Sequence, residues 1–331
     1  MKQRFITFLL IITGSVFLLS WGSWGHQHIN RAAVFALPEE MRPFFYNHLD
    51  YITEEAPVPD VRRGTINDKA EPNRHFIDLE NYLTHPGDSM PQTLKEVTDK
   101  YDAKFIDANG ILPWYMEDMM DKLTRAFRNK SKTEILFLSA DLAHYIGDAH
   151  MPLHTAVNYD GQLTNQKGIH AFWESQLPEL FGDNYNVNTG EAVFIPDVHN
   201  EIRRIIAHSH SLIEPMLAAD KTARTGLTED KLFLKDAAGS LAKNKYNQTI
   251  RSKEYATAFH QALNGMVEQQ FRLSIAAVAN FWYTAWVNGG KPDLSTLDPQ
   301  ELTQRNKKFY KKDYKRWQNG KLFGFKTDKE Y

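Results

Sequence analysis

Apolar residues recur at three- and four-residue spacing along most of the chain, which is the period of an amphipathic α-helix. No alternating run rich in Val, Ile and Thr occurs between Trp21 and Gly290, so no strand is expected there. The pattern therefore predicts an all-α protein. The predicted helices are residues 27–37, 39–55, 113–129, 133–150, 197–217 and 254–287, and the predicted loops are 56–73, 84–92 and 158–168.

The first 20 residues have a different pattern from the rest. Lys2 and Arg4 precede a mostly apolar stretch of 15 residues, which is short for a membrane span and normal for a secretory signal. We expect residues 1–20 to be a signal peptide that is cleaved before Trp21, with an uncleaved N-terminal anchor as the alternative. The mature protein would then be secreted or periplasmic.

The other end of the chain also differs. The sequence Gly-Gly-Lys-Pro at 289–292 ends the last long helix, so we expect one helical domain over 21–290 and a tail over 291–331. Residues 305–331 contain ten Lys or Arg against three Asp or Glu, with aromatic residues interleaved. This composition fits weak contact with an anionic surface, or a strap that packs its aromatic residues on the helices.

The amino-acid composition excludes several classes of site and of enzyme. The 331 residues are 24% charged and 42% hydrophobic, which is typical of a globular protein, and the net charge of −2 gives no overall basic field for nucleic acid. The absence of cysteine excludes disulfides, cysteine zinc sites and a thiol nucleophile. Glycine-rich phosphate-binding motifs are absent too, which argues against a kinase or an ATPase.

Metal-ligand residue types cluster in the segment DLAHYIGDAHMPLH. His144 and Asp148 are four residues apart, so a helix presents both on one face, and carboxylate plus imidazole suits zinc. A proline then turns the chain, so that His154 can fold back toward the same centre. A second pair with the same spacing follows, His170 and Glu174. Two such pairs with a histidine between them are hard to obtain by chance.

Further candidate metal ligands lie earlier in the sequence. His75 stands in the apolar segment RHFIDLE, and Asp60 precedes it by 15 residues, with Asp68 as a competing acid. Taken alone, His75 is better explained as a hydrogen-bonded core residue and Asp60 as a solvated loop acid. Signal cleavage would expose the amine of Trp21, which can chelate a metal together with its own carbonyl, five residues before His26.

Together these residues resemble the zinc-dependent phospholipase C / S1-P1 nuclease superfamily. The motifs that carry the resemblance are W-G-x-x-G-H at 21–26, H-F-x-D at 75–78, H-x-x-x-D-x-x-x-x-x-H at 144–154 and H-x-x-x-E at 170–174. They run from Trp21 to about Glu174, and the resemblance extends less specifically to the helix near Trp286. It implies an all-α, multi-helix domain around a cluster of three zinc ions.

The resemblance also implies a role for each candidate. The first zinc would be held by Asp60, His75, His144 and Asp148, the second by His154, His170 and Glu174, and the third by the amine and carbonyl of Trp21 with His26 and Asp148. Asp60 would also be catalytic, by accepting a proton from the attacking water or orienting it, and the nucleophile would be a zinc-bound hydroxide. Phe76 and Asp78 would bind substrate.

The implied reaction is hydrolysis of a phosphodiester, with nucleic acid or phospholipid as the substrate and no stable protein partner. The W-G-x-x-G-H spacing and the GDxHxPLH core are nuclease-like, and we slightly favour a nuclease acting on single-stranded DNA or RNA. Glu174 stands where nucleases usually carry Asp, and QKGIHAFWE resembles the phospholipase C version. A non-catalytic zinc-binding surface protein is the alternative from another class.

Overall fold

The computed structural model describes residues 21–66, 68–85, 89–297, 304–321, 329 and 331. Within these residues the chain consists of helices and their connections. Its extended pairing is limited there to three isolated antiparallel bridges between Phe233 and Arg251. The all-α class predicted from the apolar spacing is therefore confirmed.

The helices are joined by turns and by longer loops, such as residues 185–197 and 233–252. The α-helices of the described residues are α1 Gly22–Ala36, α2 Arg42–Asn47, α3 Leu49–Glu54, α4 Val58–Thr65, α5 Leu79–Tyr82, α6 Leu94–Lys100, α7 Ala103–Asn109, α8 Leu112–Arg128, α9 Lys132–Ala149, α10 Ile169–Ala171, α11 Leu177–Phe181, α12 Val198–Ser211, α13 Ile213–Arg224, α14 Glu229–Leu232, α15 Lys253–Ala262, α16 Met266–Asn288 and α17 Gln304–Gln318. Short 3-10 turns are Pro72–Arg74, Pro152–Thr155, Gly182–Asn184 and Leu294–Thr296, and Phe172–Gln176 is π-helical.

Several helices begin at a side chain that caps the free backbone N–H groups of the first turn. Thr93, Asp102, Asp197 and Ser252 each accept a hydrogen bond from the backbone N–H three residues later, at 2.8 to 3.2 Å. Such a cap contributes about 1 kcal/mol to the stability of a helix. The starts of α6, α7, α12 and α15 are therefore determined locally by the sequence.

The centre of the protein is formed by α9 and α16, each of which contacts both α1 and α8. Trp282 of α16 stacks on Phe45 with ring centroids 5.0 Å apart and donates its indole N–H to the carbonyl oxygen of Ser139 at 2.9 Å. Asn30 of α1 donates to the carbonyl oxygen of Ala140 at 3.3 Å. Buried polar groups need such partners, and these bonds fix α1 and α16 against α9, the helix with the first predicted ligand pair.

The structure differs from the predicted elements at definite points. The loop predicted after residue 55 contains helix α4, which begins at Val58 with Pro59 in its first turn. Proline is tolerated there because the first-turn N–H groups have no intrahelical acceptor. Three long predicted helices are each divided in two, at His48, Leu212 and Gly265. Gly265 has a φ of +83°, a left-handed conformation that is typical of helix ends.

Helix α17 lies in the basic, aromatic tail and packs on the body of the protein. Trp317 is buried and donates its indole N–H to the carbonyl oxygen of Val187 at 3.1 Å. Tyr310 packs edge-on against Tyr46 with ring centroids 5.0 Å apart. The lysine side chains of this helix are exposed. The described part of the tail thus contacts the protein through its aromatic residues and presents its cations to solvent.

The predicted signal peptide, residues 1–20, lies outside the described residues. Among the helices that the structure describes, none combines the length and the apolar character needed to cross a membrane.

Candidate metal centre

The residues predicted as metal ligands come from seven segments of the chain and converge on one buried place. These segments are the start of α1 (Trp21, His26), α4 (Asp60), the residue after the turn Pro72–Arg74 (His75), α9 (His144, Asp148), the turn Pro152–Thr155 (His154), α10 (His170) and the π-helical segment (Glu174). All nine side chains are buried, with at most 6% of their surface exposed. Three groups have ligand atoms within 4.8 Å of one another, which are His26, His144 and Asp148; Asp60, His75 and His144; and His154, His170 and Glu174.

Asp60, His75 and His144 form one of these groups. The Nε2 atom of His144 lies 3.2 Å from Nδ1 of His75 and 3.9 Å from Oδ1 of Asp60. His75 Nδ1 lies 3.7 Å from the same oxygen of Asp60. Asp68, the competing acid, lies elsewhere: its side chain is part-exposed and 3.4 Å from Arg74. The structure therefore places Asp60, and not Asp68, beside these histidines.

Asp148 lies between several histidines. Its Oδ2 atom is 2.9 Å from Nδ1 of His75 and 3.4 Å from Nε2 of His144. Its Oδ1 atom is 3.4 Å from Nε2 of His26 and accepts no hydrogen bond from the described residues. The two oxygens of one carboxylate thus face different imidazole groups, which is the arrangement of a carboxylate that bridges two cations.

His154, His170 and Glu174 form the other group. The Nε2 atoms of the two histidines are 3.2 Å apart, and the carboxylate of Glu174 lies 3.1 Å from His170 and 3.6 Å from His154. The backbone N–H of Trp21 donates to Oε2 of Glu174, the oxygen nearer to His154, at 3.0 Å. The start of α1 therefore adjoins this group.

Backbone carbonyl groups determine which nitrogen of each imidazole faces the centre. The Nδ1 atoms of His144, His154 and His170 lie 2.9, 2.7 and 2.6 Å from the carbonyl oxygens of Ala56, His75 and Tyr159, to which they must donate as N–H. In the neutral imidazoles, the Nε2 atoms of these residues then carry lone pairs, and these lone pairs point at those of other ligand atoms. This arrangement is repulsive unless a proton or a metal ion lies between them, so the deprotonated residues fit bound metal ions.

The same carbonyl contacts join two ligand-bearing segments. His154 donates from Nδ1 to the carbonyl oxygen of His75, and its own carbonyl oxygen accepts from the backbone N–H of Ile77 at 2.8 Å. These two hydrogen bonds run in opposite directions. They hold the turn at Pro152–Thr155 against the residues that follow His75.

The charges of the site also favour cations. Asp60, Asp148 and Glu174 place three carboxylates in one buried region, and buried anions require compensating positive charge. Burial would raise the pKa of Asp148, but His144 and His154 outweigh it and hold that pKa well below its ordinary value. For His144, burial opposes the charged form, yet Asp148 and Asp60 raise its pKa to about 9. The site is thus built to hold positive charge.

Sequence reasoning missed Glu71, which contacts His75 on the side away from the other ligands. Its Oε1 atom is 3.2 Å from Nε2 of His75, it accepts a hydrogen bond from the hydroxyl of Tyr145, and its Oε2 atom is 2.8 Å from Arg74. Burial opposes its ionisation, but its contacts with His75 and Tyr145 and the charge of Arg74 lower its pKa to about 2. Glu71 is therefore an ionised carboxylate that faces Nε2 of His75 at 3.2 Å, a contact without the angles of a hydrogen bond in this arrangement.

Arg63 is the second residue that was missed. It lies three residues after Asp60 on α4, and its Nη2 atom is 2.8 Å from Oδ1 of that residue. The helical spacing could have revealed the pair, but the segment VPDVRR was interpreted as a loop. Burial raises the pKa of Asp60, whereas Arg63, His144 and His75 lower it, and the net result is a lowered pKa. Asp60 is therefore an ionised carboxylate.

A cavity of about 240 Å³ opens beside the centre, and its lining includes Arg63, Phe76, Asp78 and Tyr159. The two residues predicted to bind substrate thus lie in its wall. The Phe76 side chain is half-buried. Its backbone carbonyl oxygen lies so close to Gly110, whose φ is +73°, that a Cβ atom at that position would overlap it. Burial, with a smaller effect of Glu80, raises the pKa of Asp78 to about 7. The cavity thus combines a cation, aromatic rings and a carboxyl that is near half-protonation at neutral pH.

Comparison with known proteins agrees with this site. A family model described as S1/P1 nuclease matches residues 21–280. The chain is 24% identical over 213 residues to a probable serine protease of Bradyrhizobium tropiciagri, an alignment that covers 59% of this chain and 26% of that protein. It is 23% identical over 186 residues to nuclease S1 of Aspergillus oryzae (strain ATCC 42149 / RIB 40), covering 52% of this chain and 59% of that protein. The chain thus spans between about a quarter and three fifths of the length of these curated relatives.

Proposed function

Since the chain belongs to the S1/P1 nuclease family, we propose that it is a secreted, zinc-dependent phosphodiesterase that hydrolyses single-stranded DNA or RNA. The observation that carries this proposal is the buried group of carboxylates and imidazoles beside a cavity with a cation and aromatic rings. A single strand presents the matching features, because its phosphodiesters are anionic and its bases have exposed ring faces.

Zinc is the proposed metal because the donors are imidazole and carboxylate groups at short mutual distances. Two nitrogens bound tetrahedrally to one zinc ion at about 2.05 Å lie about 3.3 Å apart, and the pairs His154–His170 and His75–His144 are both separated by 3.2 Å. We assign one ion to Asp60, His75, His144 and Asp148, a second to His154, His170 and Glu174, and a third to Trp21, His26 and Asp148.

The third ion requires the N-terminus of the mature chain. In the full-length chain the nitrogen of Trp21 is an amide that donates to Glu174. Cleavage of residues 1–20 would convert it to an amine, which can bind a metal once it is deprotonated. Its position next to a carboxylate of the metal centre supports this assignment, and with it the export of the protein.

The residues of the site would have different roles in the reaction. Bound zinc would neutralise the phosphoryl oxygens and lower the pKa of a coordinated water. Asp60 is ionised, so it can orient the attacking water and take its proton. The guanidinium of Arg63 lies in the cavity wall, where it can bind two oxygens of the phosphoryl group and stabilise the charge that develops on them.

The remaining cavity residues suit a nucleobase. Phe76 is half-buried and Tyr159 is 41% exposed, so both present ring faces on which a base can stack. The carboxyl of Asp78, with a pKa of about 7, can donate or accept a hydrogen bond at a base edge. The quaternary ammonium of a choline headgroup could use the same ring faces, so the preference for a nuclease rests on the family match and on the similarity to nuclease S1.

The test presents single-stranded DNA, single-stranded RNA and phosphatidylcholine vesicles in parallel to the protein that begins at Trp21. Each substrate is assayed with added zinc and with a chelator. The Asp60→Asn variant, which lacks the proposed proton acceptor, is assayed in the same way. We expect zinc-dependent cleavage of the nucleic acids and loss of at least about a hundredfold in kcat for Asp60→Asn. Zinc-dependent release of phosphocholine without nucleic-acid cleavage would identify a phospholipase C, and the absence of all hydrolysis would support a non-catalytic protein.

A further inference from the structure

A second cavity, of about 510 Å³, lies beside the metal centre. We name it the Arg251 cavity and define it by Lys167, Lys243, Arg251, Phe172 and Phe233, which line it. His170 contributes to the walls of both this cavity and the smaller one at the metal centre. The two cavities are therefore adjacent.

The lining of the Arg251 cavity carries an excess of positive charge. Lys167, Lys243 and Arg251 supply three cations, whereas Asp160 is the one carboxylate side chain among its lining residues in the described part of the chain. Oδ1 of Asp160 already accepts hydrogen bonds from the backbone N–H groups of Gly168 at 3.0 Å and His170 at 3.3 Å. That carboxylate therefore supports the loop next to the metal centre, and its charge also acts on Arg251.

Arg251 is the cation that most requires an anion. Only 7% of the residue is exposed, and its Nη2 atom donates to the carbonyl oxygen of Lys167 at 2.9 Å. Its Nε atom has no hydrogen-bond acceptor among the described residues. The guanidinium lies 4.6 Å from the ring centroid of Phe233, which excludes water from one face. A buried guanidinium with an unused donor is costly unless an anion binds to it.

Neighbouring acids are occupied by other partners. Asp220 interacts with Arg224 at 2.9 Å and Gln166 at 2.8 Å, and it accepts a further bond from the hydroxyl of Tyr255. Burial lowers the pKa of the Arg251 guanidinium and outweighs the opposite effects of Tyr255, Asp220 and Asp160, and the charge of Arg224 acts in the same direction as burial. The pKa of Arg224, in contrast, is raised, because Tyr255 and Asp220 outweigh its burial. The protein thus compensates Arg224 more fully than Arg251, whose Nε–H group stays available.

We propose that the Arg251 cavity binds phosphate groups of the same single strand whose scissile phosphodiester lies at the metal centre. This inference rests on the proposed nuclease function. A guanidinium fits two oxygens of a phosphate, and the exposed lysines add attraction that does not depend on base sequence. Phe172 and Phe233 give the cavity apolar ring surface between its cations. The site would therefore favour longer strands over dinucleotides.

The experiment compares two exposed lysines of the cavity with one that lies outside it. The double variant Lys167→Gln/Lys243→Gln is matched by the control Lys245→Gln, whose side chain lies 5.0 Å from the Tyr246 ring and does not line the cavity. Zinc-loaded protein is assayed on a thymidine dinucleotide and on a 12-nucleotide thymidine strand. Strand affinity is measured by fluorescence anisotropy with Asp60→Asn added to each variant, to slow turnover.

We expect the double variant to bind the 12-nucleotide strand about tenfold more weakly, and the salt dependence of log Kd to fall by about 0.7 for each cation removed. The kcat/KM for the dinucleotide should stay within about twofold of the wild-type value, because its single phosphodiester occupies the metal centre. Arg251→Gln should weaken strand binding further, provided that its thermal unfolding shows a folded protein.

Equal strand affinity in the double variant and the Lys245→Gln control would overturn the inference, even if both cleave DNA normally. An equal loss on the dinucleotide and the 12-nucleotide strand would also overturn it, because the lysines would then act on the metal centre itself. Lysine-dependent strand binding without any cleavage by the wild-type protein would refute the nuclease proposal and leave this site supported.

Discussion

Glu71→Gln is a decisive test of how the metal centre is positioned, because it changes a charge without changing a proposed ligand. In the wild-type protein the carboxylate of Glu71 lies 3.2 Å from Nε2 of His75, and His75 presents Nδ1 to His144 and Asp148. A carboxylate that accepts from a metal-bound imidazole fixes the ring and makes its other nitrogen a stronger donor. A neutral amide in its place cannot provide the same charge.

The structure gives a magnitude for this effect. Losing such a carboxylate typically weakens metal binding 10- to 100-fold, or about 1.4 to 2.7 kcal/mol. The 3.2 Å separation is longer than the roughly 2.7–2.9 Å of the strongest charge-assisted bonds. We therefore expect the smaller loss, about tenfold, at the ion that His75 would bind. In the Glu71→Gln variant the amide oxygen can replace Oε2 as the acceptor for Arg74, and the amide N–H can donate to the hydroxyl oxygen of Tyr145, so the protein should stay folded.

The assay is a zinc titration against a competing chromophoric chelator, followed by the phosphodiesterase rate at limiting and at saturating zinc. Glu117→Gln is the matched control, because Glu117 also contacts one histidine, His199 at 2.9 Å, and one arginine, Arg203 at 2.7 Å. None of these residues is a proposed ligand. Excess zinc should restore most of the activity of Glu71→Gln, since the ligands themselves remain.

Unchanged zinc affinity in Glu71→Gln would refute the reasoning, and so would an activity loss that excess zinc does not correct. The first result would mean that packing alone orients His75. The second would mean that the charge of Glu71 acts directly on substrate or on folding.

Further predictions concern the bridge, the second group, the mature N-terminus and pH. Asp148→Asn should abolish activity and remove more than one zinc ion by elemental analysis, because the two oxygens of its carboxylate face different imidazole groups; three retained ions would exclude the shared role. Glu174→Ala should lose one ion and Glu174→Asp should be folded but bind that ion more weakly, so unchanged stoichiometry in the Ala variant would exclude this ligand. A methionine placed before Trp21 should leave the protein folded but cost one zinc ion and most of the activity, since a peptide nitrogen replaces an amine with a pKa of roughly 7.7–8.0; equal zinc content and rates with and without it would refute the N-terminal ligand. Asp78 has a pKa of about 7 in the folded protein, so the folded state holds more protons than the unfolded state between about pH 4 and 7 and stability falls as pH rises through this window. Asp78→Asn should remove that decline in urea unfolding curves, and an unchanged pH dependence would contradict the shift.

Sequence spacing predicted the parts of the centre that depend on local geometry. His144 and Asp148 share a face of α9 because a helix repeats every 3.6 residues. His170 and Glu174 also meet, with Nε2 and Oε1 3.1 Å apart, although the chain passes from an α-helical to a π-helical segment between them. In both pairs the i, i+4 rule is sufficient, since either helical form brings these positions close together.

Other parts of the site depend on contacts that no local pattern reveals. Glu71 becomes significant only because Tyr145, 74 residues later, donates to it and His75 lies beside it. Arg63 was missed because Pro59 was interpreted as part of a loop, whereas it occupies the first turn of a helix that carries Asp60 as well. The Arg251 cavity lies where the bridged residues 233–251 face α10, and these two segments are far apart in the sequence.

The contact between Trp21 and Glu174 has a consequence for the order of assembly. These residues are 153 positions apart, yet they touch in the finished centre. A chain that emerges from its N-terminus cannot complete the site until Glu174 has followed, and closing so large a loop is slow compared with forming a helix. Metal capture is then a late event that follows helix packing and does not nucleate it. Refolding without zinc should therefore restore most of the far-ultraviolet circular dichroism, and zinc added afterwards should be taken up without a large change in helix content.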